Sequence, residues 1–322
     1  RERVVDWHEI TIVHNRIENF QPDTEVRLPD FLVPEGKTDA QALVEACITG
    51  IKSLNLHTNT EYVDRLKEEL EVIKGRGFAK YFLTMKAISD KANSVQLSGP
   101  GRGSAAGSLV AYVLGITQID PIKYGLLFSR FLRRDATDYP DIDYDVSDSM
   151  ALKEMLIDDW GKNTVVPISN WNTLQLRSLI KDISKFYGVP FNEANNLSNG
   201  LQEEVMPFAR DDDEEKSVFV LKHADCMKYS KKYKDFMTKY PDVGRHVETL
   251  FMENRSIGRH AGGVIVATKQ DIQTCMPLIS VRGELQTPWT EGMNFRHLED
   301  NGFLKFDFLG LTLLKDIENC IR

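Results

Sequence analysis

Apolar residues divide this chain into helical and extended stretches. Residues 38–56 repeat at helical spacing. Tyr62, Leu66, Leu70 and Ile73 recur every three to four positions with charges between them, which predicts an amphipathic helix broken by Gly75 and Gly77. A short strand is expected at 94–97. A Gly/Pro turn follows, then a small-residue helix from near Ser104 to about Leu114. Residues 141–145 alternate as a strand, and 149–161 read as a helix. Residues 165–168 allow a short strand that Pro167 restricts to a sheet edge. Leu176, Leu179, Ile180 and Ile183 mark a helix over 173–187, stopped by Gly188. Residues 190–250 read as charged helices with loops. Strand patterns return in GRHAGGVIVATK and in FLKFDFLGLTLL, where a helix begins. Residues 1–36 read as a tail whose second half, with Pro22, Pro29 and Pro34, is an extended linker. No internal repeat interrupts this order.

Composition narrows the class. The 322 residues are 42% hydrophobic and 27% charged, which suits a globular chain of two domains, or one domain with an insertion. No apolar run approaches the ~18 residues of a membrane span. The first residues, RERVVDWHEI, lack a signal peptide's apolar core, and the missing initial Met points to a fragment. Cys47, Cys226, Cys275 and Cys320 lie far apart, so buried free thiols and a reducing cytoplasm are expected. The acidic run at 211–215 reads as a solvated loop. A net charge of −8 gives no bulk sign of nucleic-acid binding, so any such role must rest on local sites.

Four local patterns carry chemistry. In PDIDYD, strand alternation puts Asp141, Asp143 and Asp145 on one face. Close carboxylates repel unless cations occupy the site, and a few hard oxygen ligands suit Mg²⁺; an exposed acidic edge strand fits the segment equally well. GPGRGSAAGS (99–108) offers glycines for close backbone approach, Arg102 as a charged fork, the Ser104 hydroxyl and a helix start whose free N–H groups suit phosphate. It lacks the GK[ST] ending of a Walker loop, and a plain turn before a packed helix also explains it. In KFDF, alternation puts Lys305 and Asp307 on one face with Phe306 and Phe308 behind; a lone strand Asp is more often merely solvated. Arg130, with Arg133 and Arg134 nearby, either neutralises phosphates or pairs with Asp135 and Asp138. His260 alone is a weak signal.

The order of these patterns resembles the nucleotidyltransferase palm shared by DNA polymerase beta and bacterial replicative polymerases. GPGRGSAAGSLVAYVLGITQIDPIKYGLLFSRFL, YPDIDYD, HAGGVIVA and LKFDFLGL resemble the signature run of the DNA polymerase III alpha subunit, the C family, and the resemblance covers roughly residues 20–322. It implies an α+β fold: a polymerase-beta-like palm, with a mixed sheet flanked by helices, at 26–171 and 259–322, and a helical thumb inserted at 172–258. Residues 1–25 would be the trailing edge of a PHP domain, or a linker.

The resemblance further implies catalytic, metal-binding roles for Asp141, Asp143 and Asp307, with two Mg²⁺ ions. It implies dNTP phosphate contacts at Gly103, Ser104, Arg130 and Lys305, to which the loop's own chemistry adds Arg102. Arg177 and Lys181 would approach the primer–template DNA. Further expected partners are the PHP and fingers domains and a sliding clamp, in the cytoplasm of a bacterium or phage-infected bacterium. The chain departs from the family in WNT for FGT at 171–173, in Arg177 and Arg259 for Lys, and in Thr312 for Arg. Template-directed DNA synthesis is the expected function. A template-independent nucleotidyltransferase and a non-catalytic fragment that needs the fingers are the alternatives.

Overall fold

A computed structural model describes residues 7–16, 24–133, 135, 139–210, 219–267, 272–291 and 295–321. The predicted acidic loop at 211–215, Arg134 and Asp138 lie outside them. The chain forms two compact units, one of 1–169 with 259–322 and one of 170–258.

The first unit holds α1 (Trp7–Arg16), α2 (Asp39–Ser53), α3 (Thr60–Gly75), α4 (Ala79–Val95), α5 (Leu109–Val113) and α6 (Ser149–Trp160). Its later part contributes α13 (Phe295–Asp300) and α14 (Thr312–Ile321). Local chemistry sets the helix starts. Thr38 and Gln41 form a reciprocal capping box on α2, Asn59 accepts from the Glu61 N–H on α3, and Asp148 accepts from the Ala151 N–H on α6.

A five-stranded sheet runs in the order β1 (Asp143–Val146), β7 (Lys305–Gly310), β3 (Asn254–Val266), β2 (Val165–Thr173), β6 (Thr290–Glu291). β4 (Ile279–Val281) and β5 (Glu284–Gln286) form a separate hairpin. The sheet is mixed, because β1 is parallel to β7 and β3 is antiparallel to it. Alternation gives each strand two faces. Tyr144 and Val146 of β1, Val264 and Val266 of β3, and Phe306 and Phe308 of β7 enter the core formed with α2–α6. Asp143, Asp145, Lys305 and Asp307 are left on the other face. Phe306 stacks on Tyr81 of α4 at 5.2 Å between ring centroids, and truncating such a ring costs ~3–5 kcal/mol.

The second unit has its own core. It comprises α7 (Leu176–Phe186), α8 (Phe191–Ser198), α9 (Leu201–Ala209), α10 (His223–Tyr229), α11 (Lys231–Lys239) and α12 (Pro241–Leu250). Leu176, Leu179 and Ile180 of α7 join Val205, Tyr233 and Val247 in it. The Leu174 N–H donates to the Glu253 carbonyl and the Met252 N–H to the Leu174 carbonyl, tying the segment's ends together.

Four local expectations are corrected. The 94–97 strand is absent, since α4 runs to Val95 and only Ser98 bridges Val146. The helix expected from Ser104 is a 3-10 turn, Gly103–Gly107, and α5 begins only at Leu109, because Ser108 caps it there. β2 is nine residues long and lies between β3 and β6, so Pro167 is not in an edge strand; β6 is only two residues long and pairs with little of that side. All four cysteines are free thiols, but only Cys47 and Cys226 are buried.

Candidate active site

β1 and β7 run side by side with Asp143 opposite Asp307. Their apolar neighbours are drawn into the helical core, so both carboxylates emerge on the opposite face. Asp141 stands just before β1. The buried Tyr81 hydroxyl accepts the Ile142 N–H at 3.1 Å, which anchors the backbone beside it. Burial, with Asp141, Asp307 and Asp143 close by, raises the Tyr81 phenol, so it stays protonated.

Asp141, Asp143 and Asp307 each bring a carboxylate oxygen within 4.8 Å of the other two. At that separation two unit negative charges repel by about 3 kcal/mol at an effective dielectric of about 20. Three such pairs rival the net stability of a domain, about 5–15 kcal/mol. One cation is already present, since Lys305 Nζ is 2.6 Å from Asp307 Oδ2. The other Asp307 oxygen, Oδ1, is buried without a hydrogen-bond partner. His260 Nδ1 is 3.9 Å away but accepts the N–H groups of Gly262 at 3.2 Å and Gly263 at 2.5 Å. A nitrogen accepting two N–H bonds carries no proton to give, so this contact is not an ion pair. An orphaned oxygen beside two more carboxylates suits a hard divalent cation.

Two separate clefts take four of the remaining predicted residues. Lys305 and Asp141 line a small pocket with Tyr81, Tyr139 and Glu299. Gly103, Ser104 and Arg130 line a different cleft of about 460 Å³ with Gly107, Gly125 and Leu127. Arg102 pairs with Asp145 at 2.9 Å, and the Gly99 N–H donates to the Asp145 carbonyl, so the glycine loop runs along the outer edge of β1. A Cβ on Gly99 would stand 2.7 Å from that of Asp145. The helix start expected to bind phosphate is already filled. Glu69 of α3, fully buried, accepts from the Ser108 hydroxyl at 2.9 Å and from the Leu109 and Val110 N–H groups at 3.0 Å each. Arg133 is exposed and lies 3.8 Å from Asp135; Arg259 pairs with Glu284. On α7, Arg177 is exposed and Lys181 half-buried.

Residues 41–310 match the family described as the bacterial DNA polymerase III alpha NTPase domain. This chain belongs to that family. It is 33% identical to a DNA polymerase III subunit alpha of Aquifex aeolicus, over 94% of this chain and 27% of that protein. The subunit of Bacillus subtilis is 33% identical over 92% of this chain and 26% of its own length. That of Halalkalibacterium halodurans is 34% identical, again over 92% and 26%. The chain therefore spans about a quarter of the length of these curated relatives.

Three residues around the site were missed from the sequence: Glu69, Tyr81 and Lys153. Lys153 of α6 is buried, and its ammonium donates to the Ala261 carbonyl at 2.5 Å and the His260 carbonyl at 3.4 Å. Glu69 and Lys153 left a common trace. Glu69 continues the stripe Tyr62, Leu66, Ile73 at helical spacing, and Lys153 precedes Leu156 and Trp160 by three and seven positions in the same way. A charge on an apolar stripe is one the fold must pair internally.

Proposed function

We propose that this chain carries the metal-binding half of the active site of a template-directed DNA polymerase, which transfers a nucleotidyl group from a dNTP to a primer 3′-hydroxyl. The observation that carries the reading is the convergence of Asp141, Asp143 and Asp307 around the orphaned Asp307 Oδ1, in a member of the polymerase III alpha family. On this reading the first unit is the palm, of the polymerase-beta nucleotidyltransferase kind, and the second is the thumb.

The three aspartates would hold two Mg²⁺ ions, which when bound supply Lewis acidity to the attacking hydroxyl and the leaving phosphate oxygens. The protein's own groups do the rest. Asp307 is shared between Lys305 and the metal position, so its orientation is set before substrate arrives. Lys305 adds positive charge where triphosphate charge accumulates. Gly103 and Ser104 present a backbone turn and a hydroxyl to phosphate oxygens, and exposed Arg130 supplies a guanidinium to the same cleft. Arg102, tied to Asp145, shapes the loop and lends its remaining donors. Arg177 and Lys181 would meet the duplex backbone, with primer–template DNA, the fingers and PHP domains and a sliding clamp as partners.

Primer extension by the full-length polypeptide that carries this sequence tests the reading. Template-directed, Mg²⁺-dependent extension is expected. Asp141→Ala, Asp143→Ala and Asp307→Ala should each lower kcat by at least about 10³-fold, in line with losing a group that acts on the transition state. Extension that ignores the template, or an active Asp143→Ala variant, would count against it.

A further inference from the structure

The cleft lined by Gly103, Ser104 and Arg130 is made of two segments far apart in sequence. One is the glycine loop, ending at Gly107. The other is the turn Gly125–Leu127, which leads into Arg130. They approach so closely that a Cβ on Gly107 would stand 2.8 Å from the Leu127 carbonyl oxygen. Glycine leaves no side chain between the two backbones at this point.

Arg65 of α3 provides the missing link. Its Nη2 donates to the Gly107 carbonyl at 3.0 Å and to the Leu126 carbonyl at 3.2 Å, one on each wall. Its Nε donates to Glu69 Oε1 at 2.7 Å. Glu69 in turn receives the Ser108 hydroxyl and the Leu109 and Val110 N–H groups, so it fixes the chain just beyond Gly107. One ion pair on a single helix therefore holds both walls. Glu69 is wholly enclosed, and Arg65 is not among the residues lining this cleft but faces a neighbouring one beside Leu127 and Arg133, so neither acts on the cleft as a ligand does.

We propose that Arg65 and Glu69 are positioning residues for nucleotide binding: the pair sets the spacing of the Gly103–Ser104 turn against Arg130, and so the affinity for the incoming triphosphate. This rests on the reading of that cleft as the triphosphate subsite. The guanidinium is suited to the task because its planar fork bonds a carboxylate and carbonyls at once, which a lysine ammonium cannot do with the same geometry.

The test is single-nucleotide incorporation by the full-length polypeptide, with KM for dNTP and kcat measured separately and folding checked by thermal melting. Arg65→Met is expected to raise KM about tenfold or more with kcat within about threefold, as for a loss of ground-state and transition-state binding alike. Arg65→Lys should recover only part of the loss. Gly107→Ala, which wedges the same walls while leaving both charges of the pair in place, should raise KM in the same way and serves if Arg65→Met does not fold. Arg130→Ala is the reference for the cleft itself. If Arg130→Ala raises KM while folded Arg65→Met, or Gly107→Ala in its place, leaves KM unchanged, the positioning role is overturned and the cleft reading stands. If Arg130→Ala also leaves KM unchanged, the cleft reading fails and the positioning role with it.

Discussion

At the scale of single residues, the site depends on charges placed where apolar groups would ordinarily sit. Lys153 is the clearest case. Burial pushes its ammonium down to about 8 from the ordinary 10.5, with Arg259 adding to the shift and Asp307 opposing it. Between those values the folded chain holds Lys153 neutral while the unfolded chain holds it protonated. The unfolded state then binds more protons, so stability rises with pH across about 8 to 10.5. Below that window both states are charged and the cost of burying the ammonium is present in full. Lys153→Met removes this contribution. Urea unfolding of both proteins at several pH values should show wild type gaining on the variant by on the order of 2 kcal/mol from pH ~7.5 to ~10.5. A constant difference would mean that Lys153 does not change its protonation in that window.

At the scale of elements, the sheet brings the aspartates together, and glycines let it close. The pattern in KFDF was enough to separate Asp307 from Phe306 and Phe308, because strand alternation is local. The PDIDYD pattern predicts one strand over 141–145, but β1 begins at Asp143, and Asp141 is held instead through the Tyr81–Ile142 bond, a contact 61 positions apart. No local spacing announces such a contact. The glycine loop was legible as a close approach, but not what it approaches. The helix start expected to serve phosphate serves Glu69, a carboxylate that looks in sequence like the exposed Glu68 and Glu71 beside it.

The HAGGV glycines are a further long-range requirement. A Cβ on Gly262 would lie 2.9 Å from the Phe308 carbonyl oxygen, which belongs to β7 backbone and has little room to yield. Gly262→Ala should therefore destabilise the fold by about 1–3 kcal/mol. Gly75→Ala, with nothing within 4 Å, should be close to neutral. Chemical denaturation of the two variants checks the contrast; equal effects would show that β3 and β7 have slack at the site.

At the scale of the whole molecule, the chain is two compact units with separate cores, and the three aspartates all belong to the first. β2 carries the chain into the helical unit and β3 carries it back, so the strand that pairs with Asp307 resumes only after an excursion of about ninety residues. Metal binding is the property this unit should express by itself, because every proposed ligand lies on β1, β7 or the residues just before β1. The relatives are about four times as long as this chain.

Calorimetric titration of this chain with Mn²⁺, standing in for Mg²⁺, is the most direct measurement. Binding in the micromolar to millimolar range is predicted for the wild type, with Asp143→Asn and Asp307→Asn each weakening it at least about tenfold while melting as folded proteins. Equal Mn²⁺ affinity in the wild type and both folded variants would contradict the account.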